Sequence, residues 1–174
     1  MTEPQSPAPH PLIDVARAAL EAHPRPYTPP ELPPPLDAPR GVFVTLRKGG
    51  ELRGCIGHLG PTRRTLAEEV AVCAVLAGHD DHRFPAVTPD ELAEICYEIS
   101  ILTPSVPTTF QELDARRYGV IVTSGRRRGV LLPDLDGVDT PAEQIRICRR
   151  KAGIPMEAPV RLERFEVVKI PGDP

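Results

Sequence analysis

A cysteine framed by glycines is the residue in this sequence best suited to chemistry. Cys55 lies in a segment of strand composition, Leu52-Arg53-Gly54-Cys55-Ile56-Gly57. Because alternate residues of a strand share a face, the spacing predicts that Arg53 and Cys55 point the same way. A neighbouring guanidinium favours the thiolate, which is the reactive form of cysteine. The residues leave open an alternative in which Cys55 is a small core residue and Arg53 a surface charge.

Two histidines are candidate proton donors for such a thiol. His58 directly follows the segment, and His82 lies in His79-Asp80-Asp81-His82-Arg83-Phe84. We expect Asp81 and Arg83 to help bind a ligand, together with the neighbours of the thiol, Leu52, Gly54, Ile56 and Gly57. His79 and His82 could share a metal only if the preceding helix continued through them. Gly78 indicates that the helix ends there and no third ligand follows, so we assign no metal site.

The other cysteines have the pattern of structural thiols. Cys73 and Cys148 fall on apolar helix faces and Cys96 falls within a strand, so we expect all three in the core. The four cysteines show no close pairs, and the N-terminus lacks the pattern of an export signal. The sequence therefore predicts reduced thiols in a cytoplasmic protein. No apolar stretch approaches the roughly 18 residues that cross a membrane.

Charge and motif content exclude several classes of function. The net charge is −3 with a pI near 6.0, and the chain has no tryptophan. Both observations argue against a nucleic-acid partner held through phosphates or stacked bases. The sequence contains no phosphate-binding P-loop, no dinucleotide fingerprint and no G-x-S-x-G nucleophile turn. A cofactor therefore stays unknown.

Periodicity and turn residues predict helices among hairpin-paired strands. Helices are predicted over 11–23, 62–78 and from Thr140 to about residue 152, with short helices beginning at Thr88 and at Thr108 or Thr109. Strands are predicted over 41–46, 52–57, 95–102, 119–123, 129–132 and 165–170. This order indicates an α+β fold with an antiparallel-rich sheet and flanking helices. Residues 1–10 are predicted to be disordered, and the proline-rich stretch 24–39 to be an extended surface wrap or a stiff connector.

Five motifs in order resemble the AMMECR domain family, whose prokaryotic members are often called AmmeMemoRadiSam system protein A. They are Leu52 to Gly57, Asp81-His82-Arg83-Phe84-Pro85, Glu98-Ile99-Ser100-Ile101-Leu102-Thr103, Gly129-Val130-Leu131-Leu132-Pro133 and Lys151-Ala152-Gly153-Ile154. The resemblance runs from about Pro11 to Ile170, so we expect one AMMECR-type domain over 11–172.

The resemblance implies an architecture and a set of partners. It implies a larger lobe holding both termini and a smaller lobe inserted mid-chain, with residues 52–57 beside a cleft between them. It also implies association with a Memo-type protein and a radical S-adenosylmethionine enzyme. It supplies no agreed reaction and no small-molecule ligand.

Two classes of function follow from these residues. In the first, the chain is an enzyme or enzyme component whose Cys55 is a nucleophile or acceptor thiol. Arg53 would stabilise the thiolate or bind an anionic group, and His58 or His82 would donate a proton. In the second, it is a non-catalytic module that binds a ligand or protein, and its glycines allow the partner to approach the backbone closely.

Overall fold

Capping residues and hairpin turns set the elements of the computed structural model, which describes residues 10–172. The helices are α1 (Pro11–Ala22), α2 (Leu66–His79) and α3 (Pro141–Ala152), with 3-10 helices at Pro89–Glu94 and Phe110–Glu112. The strands are β1 (Val42–Lys48), β2 (Glu51–His58), β3 (Ile95–Leu102), β4 (Val106–Pro107), β5 (Gly119–Ser124), β6 (Arg127–Leu131), β7 (Arg161–Phe165) and β8 (Val167–Ile170). The predicted disorder of residues 1–9 lies outside the described residues. His10 is ordered at the start of α1, where its Nδ1 accepts a hydrogen bond from the Leu12 amide.

Helix α2 begins four residues later than the sequence predicts. The Glu69 carboxylate accepts hydrogen bonds from the backbone amides of Thr62 and Arg63, at 2.6 and 2.8 Å, and this holds the chain before the helix in a loop. Thr65 then caps the helix, its hydroxyl accepting from the Glu68 amide. The helix start is therefore set by a buried carboxylate that the apolar periodicity does not reveal.

The chain divides into two units, and the larger one contains residues 10–101 and 169–172. Its sheet has the strand order β2-β1-β3-β8, and β1 pairs antiparallel with both β2 and β3. One sheet face packs on α1 and α2, through core residues that include Val42, Val44, Leu46, Val70 and Ala74. The last strand of the chain thus completes the sheet that the first strands begin.

The smaller unit, residues 102–168, lies between β3 and the last two residues of β8. Its sheet has the order β4-β7-β5-β6, all antiparallel, and α3 covers a core that includes Val120, Val122 and Cys148. The predicted α+β fold with an inserted lobe is confirmed. The single strand predicted over 165–170 is wrong: β7 ends at Phe165 and β8 begins at Val167, and the two belong to different sheets.

The proline-rich stretch is a surface wrap. Residues 24–39 contain no helix or strand, as predicted, and the strand predicted from Gly41 begins one residue later, at Val42. Tyr27, Leu32 and Leu36 are half-buried against the core of the larger unit, which favours the wrap over the stiff connector. Within residues 10–172, no helix combines the length and apolarity needed to span a membrane.

Candidate functional site

The segment 52–57 lies in the edge strand β2, where a bulge changes which residues face the same way. Leu46 pairs with Gly54 but Arg47 pairs with Leu52, so Arg53 is an extra residue without a partner on β1. Residues directly opposite each other share a face, so Leu52 lies on the face of Cys55. The regular alternation of side chains between the two sheet faces, from which Arg53 and Cys55 were predicted to share a face, is therefore interrupted at Arg53.

Arg53 contacts the loop and the 3-10 helix that follow α2. Its Nε and Nη2 donate to the two carboxylate oxygens of Glu91 at 3.1 and 3.0 Å, and Nη1 donates to the Pro85 carbonyl at 2.9 Å. The hydrogen bond from Arg53 is the main reason why the pKa of Glu91 falls to about 2. Arg53 therefore fastens the 85–91 segment along the edge of the sheet.

Asp81 and Arg83 hold the backbone of Cys55. The Cys55 amide donates to Asp81 Oδ2 at 2.9 Å, and Arg83 Nη2 donates to the Cys55 carbonyl at 3.5 Å. Arg83 also binds the Asp81 carboxylate through Nε at 2.9 Å and Nη2 at 2.7 Å. These bonds from Arg83 are the largest cause that lowers the pKa of the buried Asp81 carboxyl well below its usual range. The motifs at residues 52–57 and 81–85, more than twenty residues apart in sequence, are therefore in contact at Cys55.

The Cys55 thiol lies in a polar row that crosses three strands. Its Sγ is 3.2 Å from Thr45 Oγ1, and Thr45 is directly opposite Glu98 on the next strand. The row therefore runs thiol, hydroxyl, carboxylate on the sheet face turned away from α1 and α2. Cys55 and Glu98 are half-buried, and Thr45 is buried. Sequence reasoning missed Thr45, and quoted Glu98 only within a motif, because strand register decides their proximity.

The two framing glycines serve contacts within the chain. A Cβ on Gly54 would lie 2.1 Å from the Ala77 carbonyl oxygen of α2, and a Cβ on Gly57 would lie 2.4 Å from the Phe43 ring. Both positions need glycine so that β2 can pack against α2 and β1. Close approach by a partner is therefore not required to explain them. Of the other residues in the segment, Ile56 packs against the core and Leu52 is exposed.

His58 lies on the opposite face of β2 from Cys55. It pairs with Val42, whose side chain is in the helix-covered core. His58 Nδ1 is 2.6 Å from Glu69 Oε1 and 3.7 Å from Cys73 Sγ. Burial, then the Glu69 charge, raises the pKa of Cys73 to about 12. Sequence reasoning missed this group, although Glu69 four residues before Cys73 on an apolar helix face was the signal available.

The other histidines and cysteines singled out in the sequence differ in how far they are buried. His82 is exposed beside Asp81. The His79 ring instead lies 4.3 Å from the His23 ring, so the two histidines considered as metal ligands have different surroundings. Cys73 and Cys148 are buried, as expected. Cys96 is only half-buried, because it lies opposite Arg47 on the polar face of the sheet, so its assignment to the core is wrong.

Comparisons with known proteins agree with this architecture. A crystal structure of the uncharacterized protein PH0010 from Pyrococcus horikoshii has a TM-score of 0.79 and 30% identity, covering 91% of this chain and 88% of that one. A Thermotoga maritima protein is 52% identical over 130 residues, which are 73% of this chain and 75% of that protein. A Methanothermobacter thermautotrophicus protein is 36% identical over 173 residues, covering 89% of each chain. A Clostridium acetobutylicum protein is 45% identical over 133 residues, 76% of this chain but only 28% of its own length.

The fold is that of a two-unit α+β protein, and in this chain an aspartate–arginine pair holds a cysteine at the edge of one sheet. The AMMECR1 family model matches residues 13–170. The chain belongs to the AMMECR1 family. The cleft beside the cysteine that the resemblance implies stays a prediction.

Proposed function

We propose that this protein is an enzyme or enzyme component that works through the thiol of Cys55. The observation that carries the proposal is the backbone clamp: Asp81 holds the Cys55 amide and Arg83 reaches its carbonyl. Because β2 is an edge strand, these backbone groups have no neighbouring strand to bond, and a charged pair takes that place at Cys55. The pair fixes the backbone of Cys55, and the contact between Sγ and Thr45 Oγ1 orients the thiol, as a positioned nucleophile requires.

The side chains next to Cys55 on the same face of the sheet support the same proposal. Thr45 places a hydroxyl 3.2 Å from the sulfur, and that hydroxyl can donate to a thiolate. Arg83 bonds to the Cys55 carbonyl, so its guanidinium lies beside the residue that carries the thiol. Glu98 adds a carboxylate in the same row, and exposed His82 is our proposed proton donor. Because His58 is bonded to Glu69 on the other face, we give it no part in the Cys55 chemistry.

Alkylation by iodoacetamide tests the proposal with an internal control. Cys96 is a second half-buried cysteine on the same sheet face, without the aspartate–arginine clamp described for Cys55. We expect Cys55 to be alkylated about tenfold faster than Cys96, as measured by peptide mass spectrometry, and Arg83→Gln to remove most of the difference. Equal rates at the two cysteines in the folded protein would refute a reactive thiol at position 55.

The second candidate is a non-catalytic module that binds a ligand or protein, and exposed Leu52 on the Cys55 face favours it. The glycines no longer argue for it, because their close contacts are internal. Cys55→Ser separates the two functions. If a strain lacking the protein is complemented by folded Cys55→Ser, the binding module is correct; if complementation is lost while the fold persists, the thiol is needed.

The resemblance supplies two proposed partners, a Memo-type protein and a radical S-adenosylmethionine enzyme. Mixing each purified protein with this chain and measuring mass by light scattering after gel filtration tests them. A complex of one or both supports the partnership. Separate elution of all three at micromolar concentration contradicts it.

A further inference from the structure

The His58, Glu69 and Cys73 side chains form a cluster that the proposed function does not use. One imidazole nitrogen, one carboxylate oxygen and the sulfur all lie within 4.8 Å of one another. Glu69 and Cys73 are one helical turn apart on α2, and His58 ends β2. The three donors therefore converge from two elements of the larger unit.

We infer that these three side chains form a binding site for a divalent transition metal of the zinc class. Imidazole, carboxylate and thiolate are the ligand types that zinc takes in proteins. Three protein ligands leave a fourth position, which water or a ligand atom would fill. The His58 side chain is 33% exposed whereas Glu69 is 0% exposed, so the imidazole side is the path by which an ion would enter.

The donor spacing supports the assignment. Tetrahedral zinc bonds of about 2.0–2.1 Å to nitrogen and about 2.3 Å to sulfur place these donors about 3.5 Å apart. The observed distance from His58 Nδ1 to Cys73 Sγ is 3.7 Å, so this pair needs almost no rearrangement. The distance from His58 Nδ1 to Glu69 Oε1 is 2.6 Å, with a proton between them, and it would widen by about 0.7 Å once the ion replaced that proton.

Groups around Glu69 hold its carboxylate in one orientation, as the hydrogen-bond partners of a metal ligand do. Its Oε2 accepts from the amides of Thr62 and Arg63, while Oε1 faces the imidazole. Oε1 also accepts from the Thr62 hydroxyl at 2.9 Å, so both oxygens are held in place while Oε1 contacts the imidazole. Such partners orient ligating carboxylates in metal sites.

The proton balance of binding is simple. Cys73 releases its thiol proton to solvent as sulfur takes the metal. His58 in its neutral form moves its remaining proton to Nε2, which frees the Nδ1 lone pair for the ion. Binding therefore releases one proton per ion from neutral His58, and no electron is transferred.

Cobalt(II) titration of the chelator-treated full-length protein is the test. We expect one equivalent to bind, with the near-ultraviolet charge-transfer band of a cobalt–thiolate bond and visible bands of tetrahedral cobalt. Zinc should displace the cobalt and raise the melting temperature. Cys55→Ser and Cys96→Ser should leave the spectrum unchanged, which also separates this site from the proposed function at Cys55.

Two variants identify the ligands. Cys73→Ser should abolish the charge-transfer band, and His58→Asn should weaken binding by about 100-fold. His58→Asn changes a half-buried residue at the end of a strand, so it keeps the test decisive if Cys73→Ser does not fold. Absence of the band in the wild-type protein, or an unchanged affinity in His58→Asn, would overturn the site.

Discussion

At the scale of single residues, the site is built from bonds to the backbone of one cysteine. Asp81 and Arg83 form an ion pair, and they bond to the backbone amide and the backbone carbonyl of Cys55 respectively. The edge position of β2 makes this possible, because an edge strand has backbone groups free of a neighbouring strand. The pair therefore satisfies the backbone groups at the sheet edge and fixes the backbone of Cys55 at the same time.

Removing the charge of Asp81 should weaken the protein in a pH-dependent way. The pKa of Asp81 is lowered in the folded state, so its stabilisation is present above the unfolded value of about 3.9 and is lost as pH falls through the folded value. We expect Asp81→Asn to reduce the free energy of unfolding by about 2–3 kcal/mol at pH 7. The difference from wild type should shrink below about pH 4.

Urea unfolding at pH 7, 5 and 3 measures this difference. Asp37→Asn is the control, since Asp37 is exposed and should show little change at any of these values. A difference between Asp81→Asn and wild type that stayed constant from pH 7 to pH 3 would contradict the role of the ionised carboxylate.

Thr45 should tune the reactivity of its neighbour. Thr45→Val keeps the side-chain volume and removes the hydroxyl 3.2 Å from Cys55 Sγ. Since a hydrogen bond to the thiolate is worth about 1 kcal/mol, alkylation of Cys55 should slow by about fivefold. Cys96 in the same sample should react at its wild-type rate. An unchanged or faster rate at Cys55 would mean that the hydroxyl does not stabilise the thiolate.

At the scale of elements, close packing between β2 and α2 places the cysteine segment. Gly54 allows the strand to approach the Ala77 carbonyl, and the same approach brings His58 to Glu69 and Cys73. The two faces of one strand thus serve different groups: Cys55 and Thr45 lie on one side, and the histidine cluster on the other. Gly54, one of the two glycines that marked the segment in the sequence, lets β2 lie close to α2.

Substituting Gly54 should therefore be costly. Gly54→Ala puts a methyl group 2.1 Å from backbone that cannot move without shifting α2, and we expect a loss of about 3 kcal/mol in the free energy of unfolding. Gly60→Ala is the matched control, because nothing lies within 4 Å of its added Cβ and its backbone is not left-handed. Chemical denaturation compares the two. Equal stability of both variants would show that α2 can move away from the added methyl group at no cost.

The sequence predicts the elements of this fold better than their contacts. Helix faces and hairpins follow from apolar periodicity, and the location of the cysteine segment follows from its residues. The bulge at Arg53 could not be predicted, because it depends on how β2 registers against β1. The start of α2 could not be predicted either, because it depends on the buried Glu69 carboxylate, which accepts hydrogen bonds from amides outside the helix. Strand β7 was missed because its Arg-Leu-Glu-Arg-Phe sequence is mostly polar and carries no apolar run.

At the scale of the whole molecule, the chain closes its larger unit with its last strand. Residues 102–168 form the second unit before β8 completes the first sheet. The sheet that carries Cys55 is therefore incomplete until almost the entire chain is present. Stability of the site should then depend on side chains near the C-terminus, far from it in sequence.

Two apolar residues of β8, one buried and one exposed, test this dependence as a matched pair. Ile170 is 9% exposed and belongs to the core of the larger unit, whereas Val168 is 55% exposed. Ile170→Ala should lower the free energy of unfolding by about 2–4 kcal/mol, because it leaves a cavity in that core. Val168→Ala should cost less than about 1 kcal/mol. Urea unfolding followed by circular dichroism measures both, with alkylation of buried Cys73 reporting on the larger unit. If Ile170→Ala cost no more than Val168→Ala, or left Cys73 protected at urea concentrations that unfold half of the variant, closure by the last strand would not stabilise the unit that holds the site.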